Sequence, residues 1–128
     1  MQTLTTHGVK VSVESFYQPA HSEPHRNRFL HVYNIQIDNQ NDFTVQLLRR
    51  HWYIVESTGI VREVEGVGVI NKQPVIDPGR FHAYTSYSIL ETDLGKMYGT
   101  YLMVRADTGE QFEVDIPAFI LATPAKIN

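Results

Sequence analysis

The sequence predicts an all-β fold: a two-layer antiparallel β-sandwich of the immunoglobulin or fibronectin type III kind, with seven strands or slightly more. Three observations carry that expectation. Apolar side chains recur at every second position in segment after segment, turn clusters of Gly, Pro, Asn and Asp separate the segments, and no stretch offers a convincing crossover helix.

The first strand is read at residues 9–14, where Val9, Val11 and Val13 share a face opposite Lys10, Ser12 and Glu14. The second spans residues 29–39, with Phe29, His31, Tyr33, Ile35 and Ile37 on one side and Asn34, Gln36 and Asp38 on the other. Residues 43–56 form a longer third strand in which both alternating sets are apolar. Val45, Leu47, Tyr53 and Val55 make one set, and Leu48, Trp52 and Ile54 the other, as in a strand covered on both faces or one bent by a bulge. Ser57-Thr58-Gly59 turns the chain into a short fourth strand at 60–65, making a hairpin. A turn-rich stretch, 66–79, follows. The fifth strand, 80–90, sets Phe81, Ala83, Thr85, Tyr87 and Ile89 opposite His82, Tyr84, Ser86 and Ser88. Leu90, Leu94, Met97 and Tyr101 trace a helical stripe, but Gly95 and Gly99 interrupt it, so a loop is expected before the sixth strand at 98–107. Thr108-Gly109 leads to the seventh, 111–116. Trp52 on the third strand matches the buried Trp of such sandwiches, without the accompanying disulfide.

A chain of 128 residues can build one ordinary core and not two, so residues 1–128 are expected to form a single domain. Hydrophobic residues make up 42% and charged residues 20%, which excludes global disorder. Eleven basic against fourteen acidic side chains leave a net charge of −3, so neither nucleic acid nor a membrane surface is expected as a partner. The absence of Cys excludes disulfides, thiolate metal sites and a Cys nucleophile. The N-terminal residues lack a basic and then apolar export signal, and no apolar run reaches membrane-spanning length. A cytoplasmic location is the expectation.

Several clusters carry candidate chemistry. Gly66-Val67-Gly68-Val69-Ile70-Asn71 begins like a dinucleotide-binding loop, but Asn71 stands at the third glycine and Pro74 follows, with no helix to supply a positive dipole end. A glycine bend at a strand end is the plain reading; an anion nest of consecutive amides beside Lys72 is the functional one. In Arg49-Arg50-His51-Trp52, alternation sends Arg49 and His51 to one face and Arg50 and Trp52 to the other. One Arg is then either an anion contact or a cross-strand partner for Glu63 or Glu65. His21-Ser22-Glu23-Pro24-His25 has metal-binding residue types but reads as a solvated loop. Ser86 and Ser88 lack a nucleophile elbow, and Glu63 and Glu65 are neighbours on one strand rather than acids across a cleft, so no catalytic residue is assigned. Tyr84, Tyr87, Tyr98 and Tyr101 serve either a recognition surface or ordinary packing.

Arg49-Arg50-His51-Trp52, the run from Val64 to Pro74, Asp77-Pro78-Gly79, Tyr84-Thr85-Ser86 and the run from Gly95 to Tyr101 follow one another in order. With Phe112, Ile116-Pro117-Ala118-Phe119 and the ending Ile127-Asn128, this succession resembles the bacterial ApaG family from about residue 9 onward. The resemblance implies a free-standing ApaG chain with a fibronectin type III-like sandwich. It also implies association with a diadenosine tetraphosphate hydrolase operon and, under the name CorD, with cobalt resistance and magnesium efflux. Related domains end eukaryotic F-box and polymerase-interacting proteins, where an interaction role is inferred. The family's glycine motif is proposed to bind pyrophosphate; carried over, it names Gly66 and Gly68, with Asn71 replacing the usual third glycine and Lys72 the usual acid. The expected function is therefore a non-enzymatic binding module that presents a sheet face and its loops to a protein partner. The alternative is phosphate, pyrophosphate or nucleotide binding at Gly66, Gly68, Asn71 and Lys72, linked to divalent-cation homeostasis. No cofactor and no metal are expected, and an exposed strand edge leaves a homodimer open.

Overall fold

The computed structural model describes residues 1–127; Asn128, which closes the last motif above, lies outside them. Among the described residues the strands are β1 (Gln2–Thr6), β2 (Val9–Tyr17), β3 (Phe29–Asn39), β4 (Val45–Glu56), β5 (Val61–Val67), β6 (Val75–Ile76), β7 (Phe81–Leu90), β8 (Leu94–Arg105) and β9 (Gln111–Ala122). They form two antiparallel sheets, one ordered β1-β2-β3-β7 and the other β5-β4-β8-β9, with β6 pairing on β4 beside β5. The expected β-sandwich is the observed architecture. No helix among the described residues is long and apolar enough to cross a membrane.

Period-two patterning accounts for the core. Val9, Val11, Val13, Ile35 and Ile37 of the first sheet meet Leu47, Trp52, Met97, Tyr101, Met103, Val114 and Leu121 of the second, all of them buried. Fully burying a Val, Leu or Met side chain contributes about 2 kcal/mol, so this interface is the main source of stability.

Two bulges adjust the pattern. In β4, Leu47 pairs with Met103 and Arg49 with Leu102, so Leu48 is an extra residue. The inward set is therefore Val45 and Leu47 before the bulge and Arg50, Trp52, Ile54 and Glu56 after it, which is why both alternating sets look apolar in the sequence. In β9, Gly99 pairs with Ile116 and Met97 with Phe119, so Pro117 and Ala118 oppose a single residue. A bulge tolerates a proline, which brings no N–H to the ladder. The strand runs on to Ala122 rather than stopping at Ile116.

Of three further features, two depart from the sequence reading and the third, the solvated loop carrying His21 and His25, agrees with it. The segment around Gly95 and Gly99 is strand, not loop: Gly99 is required because β4 passes so close that a Cβ there would lie 2.0 Å from the His51 carbonyl oxygen. Residues 2–6 form a strand, joined to β2 by the two-residue turn His7-Gly8 with both residues at positive φ. The segment containing His21 and His25 forms two short 3-10 turns, Pro19–His21 and Pro24–Arg26, with both histidines exposed.

The two sides of the sandwich differ. On one, β1 and β2 lie against β9, where Ser15 Oγ donates to the Ile120 carbonyl (3.2 Å) and the Asp115 N–H to Thr6 Oγ1 (3.3 Å). On the other, the sheets end in edge strands β5 and β7. There Arg62 Nη2 crosses the gap to the Ile89 carbonyl at 2.8 Å. The inward face of β7 is its polar set, His82, Tyr84, Ser86 and Ser88, while Phe81 and Tyr87 point outward at 61% and 64% exposure.

His31 is buried on β3 against the Tyr17 ring, and its Nε2 has no hydrogen-bond partner. Burial without a partner disfavours the charged imidazolium and pushes its pKa down to about 4. The unfolded chain, with the ordinary value of 6.5, binds this proton first as pH falls. Stability contributed by neutral His31 is thus complete above pH 6.5 and is lost progressively down to about pH 4, a change of order 3 kcal/mol. Urea denaturation of wild type and His31→Leu across that window should show a gap that narrows or reverses toward low pH. A constant gap would assign the acid response to other groups.

Candidate functional site

The bulge at Leu48 creates the site. It turns Arg50 inward beside Trp52 and leaves Leu48 without a partner in the β4–β8 register. The Leu48 carbonyl accepts the Gly68 N–H (2.8 Å) and Gln73 Nε2 (3.1 Å), which pins both ends of the excursion between β5 and β6. Within the excursion Val69 and Lys72 exchange two backbone bonds, 2.8 and 3.1 Å, around Ile70 and Asn71 at φ 47° and 59°. This is a two-residue hairpin turn with both central residues left-handed, the geometry of a type I′ turn. Asn suits it; a β-branched Ile does not, and Ile70 is held there 53% exposed.

The glycines have separate tasks. Gly68 has φ 65°, and a Cβ on it would lie 2.0 Å from the Lys72 carbonyl oxygen, so only glycine closes this bend. Gly66 sits directly opposite Arg50 in the β4–β5 register, and a Cβ on it would lie 2.7 Å from both terminal guanidinium nitrogens. Arg50 occupies that space and donates through Nη1 to the carbonyls of Val67 (3.2 Å) and Gly68 (2.9 Å). The motif thus seats a guanidinium. The amides of Gly68, Val69 and Lys72 are committed to backbone carbonyls, which leaves those of Ile70 and Asn71 outside the turn's two bonds. Lys72 stands near His82 of β7, where its charge adds to burial in lowering the imidazole pKa.

Arg50 is half-buried in a cleft of about 370 Å³ on the open side of the sandwich. Trp52, Ile54, Val64 and Met97 supply apolar walls, and Ser86 and Ser88 add hydroxyls from β7. Behind them the Tyr84 and Tyr101 hydroxyls share a hydrogen bond of 2.5 Å. Burial raises the phenol pKa values of Tyr33, Tyr84 and Tyr101, outweighing the opposite pull of the Arg50 charge, so all three stay protonated at neutral pH. Ser86, opposite Tyr33 in the β3–β7 register, partly offsets the rise at Tyr33. The cleft offers donors, acceptors and apolar surface, and its serines are not paired with a histidine or carboxylate among the described residues.

Glu63 and Glu65, expected to pair with an Arg, instead flank His51 on the outer face, each at 2.8 Å from a different ring nitrogen. Arg50 is inward and out of their reach, while Glu65 lies directly opposite His51 in register. His51 stacks on Tyr53, and Tyr53 on Tyr98, at 4.6 and 5.1 Å between ring centres. The four tyrosines named from sequence therefore separate: Tyr101 and Tyr84 line the interior, Tyr98 the outer face, and Tyr87 the exposed side of β7. The cleft itself was missed in sequence; its one signal was the alternating polar set of β7, His82, Tyr84, Ser86 and Ser88. A broader concavity of about 760 Å³ on the outer face of the first sheet carries charges of both signs, from Lys10, Glu14, Asp38 and Arg80. No group of three or more His, Asp or Glu side chains among the described residues is placed to hold a metal ion.

A family model described as the ApaG domain matches residues 19–105. Protein ApaG of Brucella abortus is 45% identical over 124 residues, covering 97% of this chain and 95% of that one. Protein ApaG of Anaeromyxobacter dehalogenans is 43% identical over 128 residues, 100% of both chains. Among solved structures, a protein described as ApaA from Bordetella pertussis aligns with a TM-score of 0.87 at 39% identity, covering 91% of this chain and 94% of that chain.

The turn predicts two substitutions of opposite sign. Gly68→Ala forces a Cβ onto a backbone oxygen and should cost more than about 2 kcal/mol. Ile70→Asn relieves a β-branched residue at positive φ and should stabilise by about 1 kcal/mol. Urea denaturation midpoints measure both; a destabilising Ile70→Asn would contradict the turn geometry.

Proposed function

The chain belongs to the ApaG family, and we propose that it works as a binding module whose partner is an extended segment of another protein, taken up along the edge of β5. The observation that carries this reading is the state of β5. It is an edge strand of seven residues without proline, and Val61, Val64 and Val67 are 54%, 38% and 57% exposed. Such an edge offers a row of backbone donors and acceptors to a further strand. The charges that would ordinarily repel one are occupied: Glu63 and Glu65 hold His51, and Arg62 bonds the Ile89 carbonyl.

The second reading is a phosphate or pyrophosphate at Gly66, Gly68, Asn71 and Lys72. It draws support from the Lys72 ammonium and from the two turn amides of Ile70 and Asn71 that the internal bonds leave over. It ranks below the first because the other amides of the motif are already committed.

Photo-reactive side chains placed at Val61 and Val67, with a control at Leu4 on β1, test the first reading. A discrete protein should cross-link from the β5 positions and not from Leu4, and once purified it should shift the backbone amides of β5 in solution spectra. Equal cross-linking from all three positions, or a purified protein that leaves the β5 amides unmoved, would overturn it.

A further inference from the structure

The cleft between β5 and β7 poses a question independent of any strand added at the β5 edge: what faces the rest of the Arg50 guanidinium. Nη1 is committed to the Val67 and Gly68 carbonyls, and no carboxylate among the described residues pairs with the group. The rest of this half-buried cation faces the cleft, where a hydrogen-bonding anion would find a charge partner. The seat built for this guanidinium is specific. A bulge aims Arg50, the glycine opposite leaves room for its guanidinium, and the end of β5 and the bend present two carbonyls.

The other lining groups narrow the class of anion. One cationic side chain lines the cleft, so its charge matches a single negative charge, and Lys72 is not among the lining residues. A guanidinium offers a carboxylate two parallel donors. Ser86 and Ser88 lie on the facing strand, where hydroxyls can donate to carboxylate oxygens. The remaining walls are apolar and aromatic, Trp52, Ile54, Val64 and Met97, and the volume of about 370 Å³ suits a small organic molecule or a single terminal residue. We propose that this cleft binds a carboxylate carried on an apolar or aromatic group, with the Arg50 guanidinium as its charge partner and Trp52 in its wall. Two sources share that chemistry: a free aromatic acid, and the C-terminal carboxylate of a peptide ending in an apolar residue.

Titration of the intact protein with indole-3-acetate and 3-phenylpropionate, followed by amide spectra, tests the assignment directly. Both acids should shift the amides of Ser86, Ser88 and Asn71 saturably in the millimolar range or below. The corresponding primary amides, of the same shape without the charge, should bind at least about tenfold more weakly. A tetrapeptide ending in Phe, compared with its C-terminally amidated form, separates the sources. Preference for the free peptide over the small acids assigns a chain terminus, and binding of the small acids alone assigns a free metabolite; either outcome supports the carboxylate site. Arg50→Gln should abolish the shifts. If that variant does not fold, Arg50→Lys and Ser86→Ala replace it, each weakening the acids relative to wild type without changing the response to the amides. Equal binding of acid and amide, stronger shifts with inorganic phosphate than with either acid, or no saturable shift at these amides would overturn the proposal.

Discussion

One extra residue in β4 governs the geometry of the open side. Without Leu48 as a bulge, alternation set by Val45 and Leu47 would carry Arg49, His51 and Tyr53 into the core and leave Trp52 in water. With it, Trp52 and Ile54 join the core and Arg50 follows them inward. Gly68 and Gln73 both donate to the carbonyl of the bulged residue, Leu48. The position of the turn, the seat of the guanidinium and the shape of the cleft all descend from that local change of phase.

The sandwich is also unequal from side to side. Contacts of β1 and β2 with β9 close one side, where side-chain hydroxyls tie the two sheets together. The other ends in β5 and β7, and the inward face of β7 is too polar to complete an apolar core there. Its serine hydroxyls border a cleft, beside the hydrogen-bonded Tyr84–Tyr101 pair. In a two-layer frame with one open side the lining groups are held in place by the sheets, so anything entering there would require little ordering of the protein. The outer face of the second sheet, with its His51–Tyr53–Tyr98 stack, is by contrast internally satisfied.

Much of this was legible in the sequence and some was not, for physical reasons. Alternation at Val9–Val13 and at Ile35 and Ile37 marked strands of the core, because period two is imposed wherever one face is buried. The doubly apolar run at 45–56 marked β4 as either covered on both faces or bulged, and only the register decides between them. The separation of Arg50 from Arg49 followed from alternation as well. Gly95 and Gly99 misled, since glycine signals a loop unless another backbone passes close by, and that approach belongs to tertiary structure. Residues 2–6 escaped notice because an exposed edge strand needs no apolar face. The partners of Glu63 and Glu65 depend on which residue stands opposite in register, and the association of Gly66 with Arg50 likewise spans two strands. Neither relation has a signature along the chain.

Gly66 leaves the room that the Arg50 guanidinium occupies. A double-mutant cycle on Gly66→Ala and Arg50→Met, read from urea denaturation, addresses that relation most directly. If Gly66 is there to make room for the guanidinium, the added methyl costs stability beside Arg50 and little once methionine replaces it, giving a coupling of about 1 kcal/mol or more. Additive effects, with the methyl equally costly in both backgrounds, would mean that the glycine and the arginine are independent and that the motif serves only its own bend.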